Sequence, residues 1–387
     1  MINRKMEKQE YQIGAGLTEL IKVSRRVGKD ARLVCGASGN TSVKTDDGKF
    51  MFVKASGTAL ADMSAKRGWC KINLQKVLRW GMPYGREIIK DKKCAKLSSR
   101  KREAEIAGRL LAACEDKKYQ PSIESNLHAF LDKCVIHLHP TVVGAFINSK
   151  NGKAELEKMF GGENLAPLFV SYANPGYCLA KKIAKLTFQY QKKYKHLPQI
   201  LFLEKHGLFV SAQSSKKALQ LVLKVIKRCG KKLTCPGSKK IKKPAGQTVR
   251  DAKQAIREAF FAATGEKKPV HFFHNKIIST FADRTDTGRL LKAGPLNPNE
   301  IIYCNGPAIW VENLQKEKIV FHLKKKKPPI AFLVKNIGLF VVGSKRTAST
   351  AEQVVLDSLF TRYNARRLGG IVALTKSEQN FIRNYGG

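Results

Sequence analysis

The sequence predicts an α/β protein built from two related units, and three observations carry that prediction. Apolar residues alternate between helical and extended patterns from Tyr11 to Arg228. A His-Leu-His triplet, His137 to His139, ends one of the extended runs and is closed by Pro140. The stretch Pro198 to Val222 (PQILFLEKHGLFVSAQSSKKALQLV) is echoed by Pro329 to Val355 (PIAFLVKNIGLFVVGSKRTASTAEQVV). Self-similarity of this kind points to a second copy of one supersecondary unit.

Taken in order, Leu17, Leu20, Ile21 and Val23 give Tyr11 to Gly28 a helical spacing. Leu33 to Lys44 (LVCGASGNTSVK) starts extended and breaks into small polar residues, and Phe50 to Lys54 is a second extended run. Asp46-Asp47-Gly48 supplies the hairpin turn between them. The pairing brings Gly39-Asn40-Thr41-Ser42 close to Ser56-Gly57-Thr58. Backbone N–H groups at small residues approach an anion closely and hydroxyls add donors; two ordinary glycine loops would leave the same trace.

Lys101 to Cys114 reads as an amphipathic helix. Pro121 to Leu131 (PSIESNLHAFL) opens another, with Ser122 as the expected N-cap and Ile123, Leu127 and Phe130 at helical spacing. Glu124 and His128, four residues apart, share a face. A carboxylate in a first turn also complements the helix dipole, so both readings of Glu124 stand at this point. The connection to Cys134 is short and sets this helix beside the His-Leu-His strand. In an extended strand the side chains of His137 and His139 point the same way and that of Leu138 the other. Pro140 suits a strand end beside an open site.

Gly161 to Tyr177 reads as a loop and Tyr177 to Tyr194 as a helix. Gln199 to Ala212 is strand, break at Lys205-His206-Gly207, strand, and Ser214 to Arg228 is a helix. His206 therefore sits where two strands turn, as a residue facing a site or as an ordinary turn residue. Gly230 to Gln247 is rich in Lys, Gly and Pro without periodicity and reads as a linker. The expected domains are residues 1–232, a linker 233–247 and a C-terminal domain 248–387. In the second copy Asn336-Ile337-Gly338 replaces Lys205-His206-Gly207 and no His-x-His precedes it, so a duplicate would have lost the ligands. Pro295 to Glu312 reads as strand-bearing, Gly369 to Asn384 as a terminal helix, and His271 and His274 as core or surface residues.

A length of 387 residues with 43% apolar content fits two or three domains. The 72 Lys+Arg against 30 Asp+Glu give a net charge of +42, a balance that favours anionic partners. The lysines fall in short scattered runs (Lys92-Lys93, Lys192-Lys193, Lys324 to Lys327) rather than among the aromatics of a stacking platform. A lysine-rich surface that attracts phosphorylated metabolites is therefore expected, not a nucleic-acid face. Nine cysteines without a CxxC pair read as reduced thiols. The polar start MINRKMEKQEYQ lacks a secretory apolar region, and no run approaches the roughly 20 apolar residues that span a bilayer. The expectation is a soluble cytoplasmic protein without a membrane partner.

Three histidines with a nearby glutamate have the composition of a catalytic divalent-metal site. Three imidazoles leave a coordination position open on zinc, and they suit zinc and other late divalent ions better than magnesium. A carboxylate at the open position can move protons. The segments GNTS (Gly39 to Ser42), SGT (Ser56 to Thr58), PSIE (Pro121 to Glu124), HLHP (His137 to Pro140) and HG (His206-Gly207) resemble, in order and spacing, the class II aldolase/adducin family over about residues 10 to 230. That family includes fuculose-phosphate and rhamnulose-phosphate aldolases and ribulose-phosphate 4-epimerase. PSIESNLHAFL followed by HLHP looks closest to the aldolase half of bifunctional rhamnulose-phosphate aldolase/dehydrogenase proteins; the chain shows no GxGxxG nucleotide loop.

The resemblance implies a three-layer α/β/α sandwich around a largely antiparallel sheet, here followed by a second, related α/β domain. It implies that His137, His139 and His206 hold Zn²⁺ or another divalent metal and that Glu124 is the catalytic acid/base. Asn40, Ser56, Gly57 and Ser122 would line the substrate-phosphate pocket. Ile123 departs from the second serine that phosphate-cleaving members often carry, removing one phosphate hydroxyl. The implied reaction is aldol cleavage of a ketose phosphate through a metal-stabilised enediolate, giving dihydroxyacetone phosphate and an aldehyde, in a homo-oligomer. The alternatives are a same-fold epimerase, dehydratase or decarboxylase, and a non-enzymatic adducin-like scaffold; retention of the three histidines with Glu124 argues against the scaffold.

Overall fold

A computed structural model describes residues 14–81, 96–161, 166–237, 243–324 and 327–385. Five stretches named above lie outside the described residues: the polar start with residues 11–13 of the first expected helix, the Lys92-Lys93 run, 162–165 of the expected loop, 238–242 of the expected linker and 325–326 of the later lysine run.

Strands β1 (Asn40–Lys44), β2 (Phe50–Lys54), β3 (Trp69–Asn73), β4 (Cys134–Leu138), β5 (Leu168–Val170), β6 (Ile200–Leu203) and β7 (Gly207–Ala212) form one seven-stranded sheet. Its order is β3-β2-β1-β4-β7-β6-β5, and every pairing is antiparallel except β5 with β6. Alternation sorts the side chains into two cores. Val43, Ile136, Leu138 and Val210 pack under the helices Ala15–Gly28, Thr141–Ile147 and Ser215–Lys231. Val53, Val135, Leu201 and Phe209 pack under Ser99–Ala112, Ser125–Ala129 and Tyr177–Tyr194. The result is the three-layer α/β/α sandwich.

A second sheet joins β8 (Val270–Phe273), β9 (Ile309–Val311), β10 (Ala331–Val334) and β11 (Gly338–Val342) in the order β8-β11-β10-β9. Helices Gly246–Thr264 and Lys316–Leu323 cover one face. Helices Lys276–Asp283, Thr287–Leu291, Pro298–Cys304 and Lys345–Arg367 lie over the other. The echo in sequence is an echo in geometry. The β6–β7 hairpin closes on the pair Leu203↔Gly207 with Lys205 at φ 55°, and β10–β11 closes on Val334↔Gly338 with Asn336 at φ 60°. Each hairpin leads to a helix capped by serine: Ser214 Oγ accepts from the Lys217 amide (3.3 Å) and Ser344 Oγ from the Thr347 amide (3.2 Å).

Two local expectations change. The helix after Pro121 begins only at Ser125, so Ser122 does not cap it; its carbonyl accepts from the Ser125 amide in a preceding turn (2.9 Å) and its Oγ from the Glu124 amide (3.4 Å). The loop before Tyr177 contains β5, a three-residue edge strand too short to show alternation.

The domains share a seam. Thr141 Oγ1 donates to Asp357 Oδ1 (2.6 Å), and Gln353 Nε2 donates to the carbonyls of Ala31 (2.7 Å) and Val34 (2.9 Å). Gly144 lets the helices close: a Cβ there would stand 3.1 Å from Thr361 Oγ1. The long helix is anchored in its own domain by fully buried Arg362. Its Nη2 donates to both Glu300 oxygens (3.0 Å each) and to the Gly294 carbonyl (2.6 Å), and its Nη1 to the Leu290 carbonyl (3.1 Å). Among the described residues no helix is long and apolar enough to cross a membrane.

Removing one partner of such a pair strands the other charge in the core. Arg362→Met is expected to cost about 3–5 kcal/mol in urea unfolding, and the double variant Glu300→Gln/Arg362→Met less than the single. Burial pushes the Asp357 carboxyl up from 3.8 to about 7, against the pull of the Thr141 hydrogen bond. The native state then holds a proton that the unfolded chain has released, so stability falls as pH rises from about 4 to about 7. Asp357→Asn, which keeps an acceptor for Thr141, should match the parent near pH 4 and exceed it at pH 8 by at most about 4 kcal/mol, less whatever the adjoining cavity screens. An equal difference at both pH values would show that this carboxyl titrates normally.

Candidate metal centre

All five residues of β4 are buried, and the pleat turns Val135 and His137 to one side and Ile136 and Leu138 to the other. His137 lies in register with Asn40 on β1 and Phe209 on β7, and its ring stacks on Phe209 at 4.0 Å. Its Nδ1 sits 3.0 Å from the Leu208 carbonyl, which accepts only from a protonated Nδ1. Nε2 is therefore bare and faces the site. His139 follows one residue after the strand, its amide donating to the Leu33 carbonyl (3.2 Å). His206 stands in the β6–β7 turn, its amide donating to the Leu203 carbonyl (3.1 Å). Gly207 makes room for both strands: a Cβ there would fall 2.6 Å from the His139 ring and from the Leu138 carbonyl. Lys205, left-handed beside it, is held by two contacts to Glu378 (2.8 and 2.9 Å).

One ring nitrogen from each of His137, His139 and His206 lies within 4.8 Å of the others. The Nε2 atoms of His137 and His139 are 3.1 Å apart. Two nitrogens on one tetrahedral zinc, each about 2.0–2.1 Å from it, stand about 3.3 Å from each other. Glu124 completes the cluster, Oε1 3.1 Å from His206 Nε2 and Oε2 3.5 Å from His137 Nε2. Burial lowers the His137 imidazole to about 3 and takes that of His139 well below its usual value. Both are neutral at physiological pH, the state a metal ligand requires. Burial alone would raise the Glu124 carboxyl; His137 and the hydrogen bond from His206 outweigh it and hold the group below the usual carboxylate range. Three imidazoles, those of His137 and His139 held neutral by burial, and an ionised carboxylate are a donor set that fits a divalent cation with an open position.

Of the residues expected at a phosphate, Ser56, Gly57 and Ser122 lie in adjoining turns. Ser56 donates its amide to the Gln120 carbonyl (2.8 Å), Ala55 bridges Pro121, and Ser122 donates its amide to the Lys54 carbonyl (3.5 Å). Gly57 takes a left-handed φ of 73° in the same turn. Asn40 is 1% exposed, and neither its Oδ1 nor its Nδ2 has a partner. A buried amide left open in this way suits a bound ligand. His128 is not part of the cluster: its Nδ1 meets Ser42 Oγ (2.8 Å) and its ring packs edge-on to Phe209, a core role.

Sequence reading missed two contributions. Lys54 is 3% exposed, with Nζ 3.1 Å from the Ala37 carbonyl and 3.5 Å from the Ala55 carbonyl; burial lowers it to about 8 despite the upward pull of Glu124. A lysine closing the run FMFVK beside a glycine loop was the available signal. The C-terminal domain supplies the other: a cavity of about 30 Å³ against His139 and His206 is also lined by Asn297, Asn299 and Asp357. No spacing rule ties those residues to the histidines.

A Bacillus subtilis (strain 168) protein described as the uncharacterized oxidoreductase YuxG is 31% identical over 225 residues, 56% of this chain and 29% of that protein. The chain thus spans less than a third of that relative. The N-terminal class II aldolase domain of a conserved Thermoplasma acidophilum protein is similar in structure at 24% identity and a TM-score of 0.44, covering 59% of this chain and 98% of that one. L-fuculose-1-phosphate aldolase from Thermus thermophilus is similar at 16% identity and a TM-score of 0.34, covering 55% and 92%. The family model described as class II aldolase and adducin N-terminal domain matches residues 18–231, more than half of the sequence. The chain belongs to the class II aldolase/adducin family.

Proposed function

We propose that this protein is a zinc-dependent aldehyde-lyase that cleaves a ketose phosphate to dihydroxyacetone phosphate and an aldehyde. The observation that supports this most is the convergence of His137, His139 and His206 within 4.8 Å, with Glu124 3.1 Å from His206. A divalent cation held there supplies Lewis-acid stabilisation of negative charge on the ketose oxygens. The rest of the work falls to the chain's own groups. Asn40, Ser56, Gly57 and Ser122 offer amide and hydroxyl donors to the substrate phosphate, and the Lys54 ammonium adds a buried positive charge nearby. When the carbon–carbon bond breaks, its electron pair stays on the carbon next to the ketone, and the neighbouring hydroxyl gives its proton to the ionised Glu124 and becomes the aldehyde. Glu124, protonated by that transfer, then delivers the proton to the carbon. As the resting neighbour of His206 it is ionised; displaced from the imidazoles by substrate, it loses the contacts that hold its proton affinity down.

The same reading divides the chain into a catalytic domain (1–232), a linker (233–247) and a degenerate aldolase-like copy (248–387), in a cytoplasmic homo-oligomer. It keeps the likeness to the aldolase half of bifunctional rhamnulose-phosphate aldolase/dehydrogenase proteins at residues 121–140. Elemental analysis of the purified protein, then incubation with a panel of ketose 1-phosphates and detection of released aldehyde, tests it. His206→Ala is expected to lose the metal. Glu124→Gln is expected to keep it and to lose about 10²–10⁴-fold in cleavage rate. Undiminished cleavage by fully loaded Glu124→Gln would remove that residue from the mechanism, and an epimer formed in place of aldehyde would replace the lyase by an epimerase.

A further inference from the structure

A ligating imidazole is oriented by what its other ring nitrogen touches. For His137 that partner is the Leu208 carbonyl, inside the same sheet. For His139 it comes from the other domain: Asn299 Nδ2 lies 3.3 Å from His139 Nδ1. We propose that the C-terminal domain is a working part of the metal centre, with Asn299 the positioning residue that fixes the His139 ring for coordination through Nε2. The inference rests on the metal-centre reading above and adds to it a role for residues beyond the family match, which ends at residue 231.

The mount is rigid. Asn299 is the second residue of the helix Pro298–Cys304. Asn297 caps that helix by accepting from the Glu300 amide (3.2 Å), and Pro298 presets its first turn. Glu300 itself is 1% exposed; it accepts from the Leu296 amide (2.6 Å), from Ser358 and from Arg362. The residues on either side of Asn299 are thus pinned from within the core. The opposite bank of the contact is pinned as well, since Thr141, two residues past His139, donates to Asp357 of the long C-terminal helix.

The chemistry of the side chain fits both states of the site. Without metal, a bare Nδ1 accepts from the asparagine Nδ2–H. With Nε2 engaged, Nδ1 carries the proton and needs an acceptor. A half-turn of the amide presents Oδ1 at nearly the same place, which neither an alkyl nor an ammonium side chain can do. Aspartate provides the acceptor alone, leucine of similar size provides nothing.

The test is zinc affinity of the full-length protein, measured by competition with a chromophoric chelator, together with the visible absorption of the Co²⁺-substituted form. Asn299→Leu should bind Zn²⁺ about 10–100-fold more weakly and alter the Co²⁺ spectrum, while the melting temperature of the metal-free protein stays at the parent value. Asn299→Asp should restore affinity to within a few-fold of the parent. Parent-like affinity and spectrum in Asn299→Leu would overturn the inference. Should Asn299→Leu disturb folding, Asn299→Ala is measured in the same way, and parent-like binding by it is equally fatal. Ketose cleavage plays no part in the readout: a parent protein that binds zinc but cleaves nothing ends the lyase reading alone, and one that fails to bind zinc ends both.

Discussion

Two imidazole nitrogens 3.1 Å apart, one of them bare because the other nitrogen of its ring donates to the Leu208 carbonyl, share a single hydrogen bond that does not by itself set where three rings stand. What holds them is backbone. The period of two along β4 sends His137 and His139 to the same side, antiparallel pairing of β4 with β7 fixes the height of the turn that carries His206, and Gly207 keeps that turn clear of both rings. The site is therefore a property of the sheet. Two segments far apart in sequence, the end of β4 and the β6–β7 turn, must be in register within an ångström or so before any metal chemistry is conceivable. Burial then does the electrostatic part by keeping the His137 and His139 rings neutral, so that their lone pairs are available to a cation.

The same backbone unit occurs twice with different consequences. In the hairpin β6–β7 the left-handed position is Lys205, an uncommon residue for that conformation, and its side chain is tied down by Glu378. In β10–β11 the corresponding position is Asn336, which tolerates a positive φ on its own. The second hairpin keeps the turn and the serine-capped helix but carries no imidazole. Its helix, Lys345–Arg367, instead lies against Thr141–Ile147 and brings Asp357 and Thr361 to the seam. The hairpin unit without histidines forms a wall beside His139 and His206 of the other domain.

Much of this was readable from residues alone, and the reasons are local. Phe50–Lys54 and Tyr177–Tyr194 appear with the bounds their patterns predict, because alternation and a complete apolar stripe are short-range signals. Strand parity alone turned His137 and His139 to one side, whereas His206 and Glu124 were joined to them through the resemblance of the surrounding segments to the family. The Ser122 cap was misplaced because a tight turn competes with the first helical turn for the same amides. Lys54 was passed over because a lysine at a strand end is normally solvated, and only the packing of the Ala37 loop over it shows otherwise. Asn299 and Asp357 lie 160 and more residues from His139 and depend on how two domains dock, which no periodicity encodes.

That dependence bears on the excess of positive charge. A phosphate held by Asn40, Ser56, Gly57 and Ser122 would be a dianion beside a carboxylate, and one buried ammonium at Lys54 cannot neutralise both. The surface lysines act at longer range: with a net charge of +42 they raise the concentration of any phosphorylated metabolite near the site, an effect screened beyond about 10 Å at ordinary ionic strength. On the proposed reading, capture and chemistry would fall to different populations of cations: exposed lysines would concentrate the anion, and the buried ammonium with the Asn40, Ser56 and Ser122 side chains would orient it. His137 and His139, neutral by burial, would leave the charge at the reacting centre to be set by a bound cation and by Glu124.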